Sequence, residues 1–485
     1  MKPVQFARTA RFGKIGRGRI AAGAALVLAL GFAQTTALRA ETLADAMVSA
    51  YNHSGLLEQN RAVLRAADEG VAQAVSALRP VLRFTAGVTH NYGHGTSFQS
   101  GALVSGGSVS NQGSMGITAQ LVLYAGGQNK LNVELAKEAV LATRQQLINA
   151  EQTVLLNAVG AFMEVRRQYE FVSLRQNNLR LIREELRAAR DRFEVGEVTR
   201  TDVSLAEARL AAAQSGLAAA QGALVQAQNL YANVVGHKPK SLSPPPAVPR
   251  TASGMEAAKA AAIRNHPLMI AAQHEVRQSE LNVAVADASL KPTVNLEATY
   301  GKSGTFGSPV ENTGGYVQLG MSQPIYQGGR LSSLQRAAMA QRDRARAALH
   351  VTRHDLAQFA ADAYAGLQVA RASREAGSLQ VRAARVAFRG VREEATLGAR
   401  TTLDVLNAEQ ELLDAQASLI SAVVDEQVAA YTVLARMGAL TAKNLRLGIQ
   451  EYDPVDYYNK VKTAPAGKSQ QGRDLDRVLR AIGKN

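Results

Sequence analysis

The sequence predicts a mainly α-helical, internally duplicated chain that also carries four membrane-type β-strands. One set of residues recurs at a constant spacing of 202. Two stretches, far longer than a compact domain needs, contain no proline. Four short segments alternate apolar and polar residues, as strands with one apolar and one wet face do.

The duplication is read directly. Tyr124-Ala-Gly-Gly127 recurs as Tyr326-Gln-Gly-Gly329. Gly196, Thr199, Asp202, Val203, Ala206 and Glu207 recur as Gly398, Thr401, Asp404, Val405, Ala408 and Glu409, and Gly236 as Gly438. Leu78-Arg-Pro80 returns as Leu290-Lys-Pro292, so the first copy has ten extra residues before its Tyr-x-Gly-Gly. The copies are expected over 41–238 and 255–442. Between them, 239–254 is an extended linker, and residues 236–249 hold five of the 13 prolines.

The long helices follow from what is missing. No proline interrupts Pro80 to Pro239 or Pro324 to Pro454. As helix, Gln128 to Phe193 and its repeat Arg330 to Ala395 would each extend about 100 Å. The return helix has a seven-residue rhythm at Val203, Leu210, Leu217, Leu224 and Tyr231. Its counterpart runs Val405, Leu412, Leu419, with Glu426 breaking the series before Val433. Heptads predict left-handed supercoiling of paired helices, hence two long antiparallel hairpins.

The strands come in pairs, as β-hairpins over about 81–124 and 293–325. Leu82 to Tyr92, Met115 to Leu123, Thr293 to Tyr300 and Val317 to Ser322 alternate. The Gly- and Ser-rich stretches 94–113 and 301–315 are expected to be loops between partners. Strands of this length suit an outer membrane. Four strands cannot close a barrel, and lipid tolerates no open sheet edge. Three copies of the chain would supply an even, twelve-stranded barrel.

Residues 1–40 are expected to be an export signal. Lys2, Arg8, Arg11, Lys14, Arg17 and Arg19 precede an apolar stretch from Ile20 to Ala33, too short to span a bilayer as helix. Cleavage is expected near Ala40–Glu41, a retained anchor being the alternative. These residues hold seven Lys/Arg and no acid, so without them the formal charge falls from +15 to about +8. Much of the basic pI thus belongs to the signal, and with no nucleic-acid motif present no nucleic-acid partner is expected. Zero Cys excludes disulfides, thiolate metal sites and cysteine nucleophiles. His350 and His354 stand one helical turn apart without an apparent third ligand, so no metal is expected. No nucleophile elbow, P-loop or dinucleotide fingerprint is present in the mature chain, and neither an enzyme nor a cofactor is predicted.

The duplicated halves, the four strands, Tyr-x-Gly-Gly after each second strand and Gly-x-x-Thr-x-x-Asp-Val at both helical tips together resemble the TolC family of outer-membrane factors. Thr401-Thr-Leu-Asp-Val-Leu-Asn-Ala-Glu409 is the segment most similar to it. The resemblance covers Glu41 to about Leu447. It implies a homotrimeric, passive channel-tunnel in the cell outer membrane, reaching into the periplasm as a helical barrel. Its implied partners are outer-membrane lipid, a periplasmic adaptor and an inner-membrane ABC or RND-type pump, exporting drugs or, in type I secretion, proteins.

The same resemblance assigns roles at the tips. Gly196, Thr199, Gly398 and Thr401 would form the turns where an adaptor docks. Asp404 and, three residues on, Asn407 would line the pore constriction. Asn407 stands where the family often has a second Asp, which halves the predicted charge there. Arg400, with Asp202 as partner, would latch the entrance. Locally, Thr199-x-x-Asp202 and Thr401-x-x-Asp404 are also capping-box patterns, and capping is the favoured role for Asp202. Two other classes stay open: a periplasmic adaptor, and a trimeric coiled-coil adhesin without a pore. Residues 443–485 form a C-terminal segment in which Tyr452 to Tyr458 would pack around the tunnel's waist.

Overall fold

In the computed structural model the described residues are 40–467 and 469–481. The expected signal therefore lies outside them, apart from Ala40. Two short helices come first, α1 (Leu43–His53) and α2 (Gly55–Ser76). A capping box of Thr42 and Asp45 starts α1 and the Ser54 hydroxyl starts α2, each satisfying amides that a first turn leaves free. Strands β1 (Val81–Gln99) and β2 (Ala102–Ala125) follow, then α3 (Gln128–Glu194) and α4 (Arg200–Val235).

The second copy repeats the order. Helices α5 (Met255–Asn265) and α6 (Pro267–Ala288) precede β3 (Thr293–Thr305), β4 (Glu311–Ser322), α7 (Arg330–Thr396) and α8 (Thr402–Arg436). Two further helices, α9 (Pro454–Val461) and α10 (Gln470–Ala481), follow. Both long helices, α3 and α7, have 67 residues and start after a left-handed glycine, Gly127 at φ 90° and Gly329 at φ 86°. Those are the last residues of the two Tyr-x-Gly-Gly motifs, which turn the chain from strand to helix.

The four strands form one antiparallel sheet in the order β1-β2-β3-β4. Its register separates two faces. Phe84, Ile117 and Tyr300 stand in line on one face, beside the row Leu82, Ala119, Ala298 and Val317. Arg83, Thr118, Thr299 and Tyr316 line up on the other, where the Tyr316 hydroxyl donates to Glu297 over 2.8 Å. The apolar face is open: Phe84 is 68%, Val317 75% and Leu319 67% exposed. A soluble sheet would cover such a face; lipid is what suits it.

The structure corrects the expected loops. Residues 94–113 are not a loop: His94 pairs with Gly107 and Phe98 with Leu103, up to a two-residue turn at Ser100 and Gly101. Both turn residues have positive φ, the twist that suits a tight hairpin. Residues 301–315 likewise pair from Gly301 to Gly304 with Gly314 to Glu311. Small residues hid the alternation, while the backbone ladder continues regardless of side chain.

The main core sits where the middle of α3 meets the C-terminal ends of α4 and α8. There Phe162 and Leu155 of α3, Tyr231 of α4, Leu43 and Tyr51 of α1, and Leu440 pack together. Beside it, Tyr452 and Tyr458 lie against Leu64, Val71 and Val140, and Tyr457 with Val461 against Ala72. The Arg61 guanidinium stacks at 5.3 Å on both Tyr51 and Tyr452. The C-terminal segment is thus a strap across α2 and α3.

Candidate functional site

The two helical hairpins end in nearly identical turns. After α3, Gly196 takes φ +81°, and its amide donates to the Phe193 carbonyl over 3.1 Å. After α7, Gly398 takes φ +78° and donates to Ala395 over 3.2 Å. Only a residue tolerant of left-handed backbone ends a helix this way and lets the cap of the next follow three residues later.

Each next helix begins with a complete capping box. The Thr199 hydroxyl donates to Asp202 Oδ2 at 2.7 Å and accepts from the Asp202 amide at 3.3 Å, while the Thr199 amide donates to Oδ2 at 2.9 Å. Thr401 and Asp404 repeat this with 2.8, 3.2 and 3.0 Å. These bonds favour the ionised carboxylates. Asp202 is held below the usual range first by the Thr199 hydroxyl, Asp404 first by the Thr401 amide, with Arg400 a minor cause.

Arg400 and Asp202 line one cleft between the tips, together with Val198, Thr199, Leu397 and Gly398. Within the chain, however, Arg400 Nε donates to Glu394 Oε2 at 2.8 Å. The Asp202 carboxylate is already committed to its cap, and Glu394 lies on the same tip as Arg400. Glu394 was not singled out from the sequence, because a partner six residues away across a turn follows no helical spacing.

One turn above Asp404, Asn407 is exposed and accepts at Oδ1 from Arg209 of α4 at 3.0 Å. Glu409 points the other way and is buried, its carboxylate taking the Asn178 amide of α3. Burial pushes Glu409 above the ordinary carboxylate range. Arg392 of α7 reaches Glu185 of α3 at 3.2 Å. Three polar contacts therefore join the hairpins near their tips. Only Asn407 among these residues was a sequence candidate; the repeat places Leu205 at its equivalent position and so gave no sign of its partner.

Comparison with known proteins gives consistent results. The family model for outer membrane efflux proteins matches residues 46–237 and 260–439, one segment in each copy. The outer membrane efflux protein BepC of Brucella suis is 36% identical over 442 residues, covering 90% of this chain and 94% of BepC. The outer membrane protein TolC of Vibrio cholerae is 23% identical over 425 residues, covering 85% and 94%. Among solved structures, VceC of Vibrio cholerae superposes with a TM-score of 0.68 at 22% identity, covering 82% of this chain and 96% of VceC.

Proposed function

The chain belongs to the outer membrane efflux protein family, the TolC-type channels of the outer membrane that extend into the periplasm, and from that premise we propose that three copies form a passive exit duct, gated at the helical tips. It is a channel and not an enzyme. The observation that carries the trimer is the sheet: four strands with an open apolar face, ended by β1 and β4, need further copies to close in lipid. Three copies give twelve strands.

At the other end, the cleft between the Gly196 and Gly398 turns offers a docking site for the hairpin of a periplasmic adaptor. Thr199 and Thr401 shape it as helix caps. Asp404, half-buried, and Asn407, exposed, share one face of α8 and line the constriction, and Arg400 with Asp202 forms the latch. Glu394 competes for Arg400 and keeps that latch weak, since solvent screens an exposed ion pair. An ABC or RND-type pump in the inner membrane supplies the energy, and its identity decides whether drugs or, in type I secretion, proteins leave. A lone adaptor or adhesin is disfavoured, because both copies match the channel family and both carry membrane-type strand pairs.

Single-channel recording of the mature protein in planar bilayers tests this. Discrete small conductances are expected, raised by Arg400→Ala and altered in ion selectivity by Asp404→Ala. Folded, heat-resistant trimers that open no channel would overturn the duct.

A further inference from the structure

We propose that Arg209 is a selectivity-determining residue of the tunnel entrance: anchored on Asn407, its guanidinium places positive charge beside Asp404 and offsets it. This rests on the first turns of α8 being the narrowest point.

Asp404 and Asn407 are three residues apart on a helix and share a face. An Asp at 407 would neutralise an approaching arginine. The amide accepts a hydrogen bond but carries no charge, so Arg209 is oriented and stays cationic. Among the described residues Arg209 forms no ion pair, whereas Arg392, Arg371 and Arg374 all do. Glu409, whose carboxylate feels the Arg209 charge, is buried, is held by Asn178, and is shifted toward its neutral form by burial. Asp404 in turn stays ionised because Thr401 stabilises its carboxylate.

Arg400, the cation already acting on Asp404, is itself paired with Glu394 at 2.8 Å. Each chain therefore adds one uncompensated anion, Asp404, and one uncompensated cation, Arg209, to adjoining turns, and a ring of three chains comes close to neutral. The exposed Glu411 and Asp414 extend the acidic face of α8, but Glu411 stands about 10 Å along the axis from Asp404, roughly one Debye length in 0.1 M salt. The first copy has Leu205 where Asn407 stands, and the second has Glu411 where Arg209 would repeat, so this pairing occurs once per chain.

Reversal potentials in a KCl gradient measure the effect on the mature protein in planar bilayers, with heat-resistant trimers on a gel confirming assembly. Arg209→Gln keeps a donor for Asn407 and removes only the charge. It should raise the potassium-to-chloride permeability ratio about two- to fivefold in 0.1 M salt, the change expected from up to about 1 kcal/mol per charge in water. Arg209→Lys should keep the wild-type ratio, Asp404→Asn should lower it, and the double variant Arg209→Gln/Asp404→Asn should restore it. A wild-type ratio in Arg209→Gln, alongside a lowered one in Asp404→Asn, would overturn the role of Arg209 and leave the entrance where it is. Silence in both variants would move the constriction elsewhere and overturn both.

Discussion

Tyr231, in the middle of the protein, donates its hydroxyl to the carboxylate of Glu41 over 2.5 Å, joining positions 190 residues apart. The Glu41 side chain is only 11% exposed, and its other oxygen is buried without a partner. Backbone bonds from the Glu41 amide to Ser241 and from the Ser243 amide to Glu41 fasten the same residue to the linker. Burial and the Glu41 carboxylate both push the Tyr231 phenol upward, so it donates at every physiological pH. Tyr231→Phe should leave the carboxylate further short of donors and destabilise the fold by about 1–3 kcal/mol. Thermal unfolding of the assembled protein measures this, and an unchanged midpoint would mean that water replaces the hydroxyl.

Asp68 of α2 predicts a dependence of stability on pH. It is fully buried under the C-terminal strap, and neither carboxylate oxygen has a hydrogen-bond partner. Burial raises it to about 6, with Arg144 opposing and Glu69 adding to the rise. A raised acid favours the folded state while protonated, so its contribution is full below about pH 4 and is lost as pH rises through about 6. The loss is at most about 3 kcal/mol. Denaturant titrations between pH 4 and 8 should show this slope in the wild type and a flatter profile in Asp68→Asn. Equal slopes would mean that Asp68 is already solvated.

What was legible in the sequence follows from which signals are local. The ends of α3 and α7 match the expected Phe193 and Ala395 to within one residue, because Gly127, Gly329, Gly196 and Gly398 mark them. Fold class was legible for the same reason: proline gaps, heptads and alternation each act over short distances. The hairpin ends were misread because Gly and Ser carry no face. At the candidate site, the Thr199 and Thr401 caps were readable as i, i+3 patterns. The partners of Arg400 and Asn407 were not, since Glu394 and Arg209 are brought in by a turn and by a second hairpin. Glu409 repeats Glu207, yet Glu207 pairs with Arg190 in the open at 2.6 Å while Glu409 is buried.

Glu426, which interrupts the heptad rhythm of α8, yields a third prediction. Its side chain is 6% exposed and lies 2.7 Å from Arg374 Nε and 3.6 Å from Arg371 Nε. Removing one partner strands a nearly buried charge, while replacing the pair by apolar groups need not. Arg374→Ala should therefore cost about 1–2 kcal/mol, discounted for the half-exposed arginine. The double variant Glu426→Leu/Arg374→Ala should cost less than the single one. Denaturant midpoints of the two, compared at constant slope, decide the matter; a double variant worse than the single would show that the carboxylate is satisfied by water.

Two glycines that end helices make the last prediction. Gly196 and Gly438 both have positive φ, at 81° and 74°. At Gly196 an added Cβ would meet only open space; at Gly438 it would lie 2.8 Å from the Asn265 carbonyl oxygen and from the His266 Cα. Both atoms are backbone at the α5–α6 junction, where His266 caps α6 through Nδ1, so neither can swing aside. Gly196→Ala then meets only the left-handed strain, about 1 kcal/mol. Gly438→Ala adds a backbone clash and should cost several times more. Gly196→Asn should be nearly neutral, since asparagine tolerates that conformation. Thermal midpoints should rank Gly196→Asn near wild type, Gly196→Ala slightly below and Gly438→Ala far below. If Gly438→Ala matched Gly196→Ala, the end of α8 would have to pack less tightly on the α5–α6 junction than the structure shows.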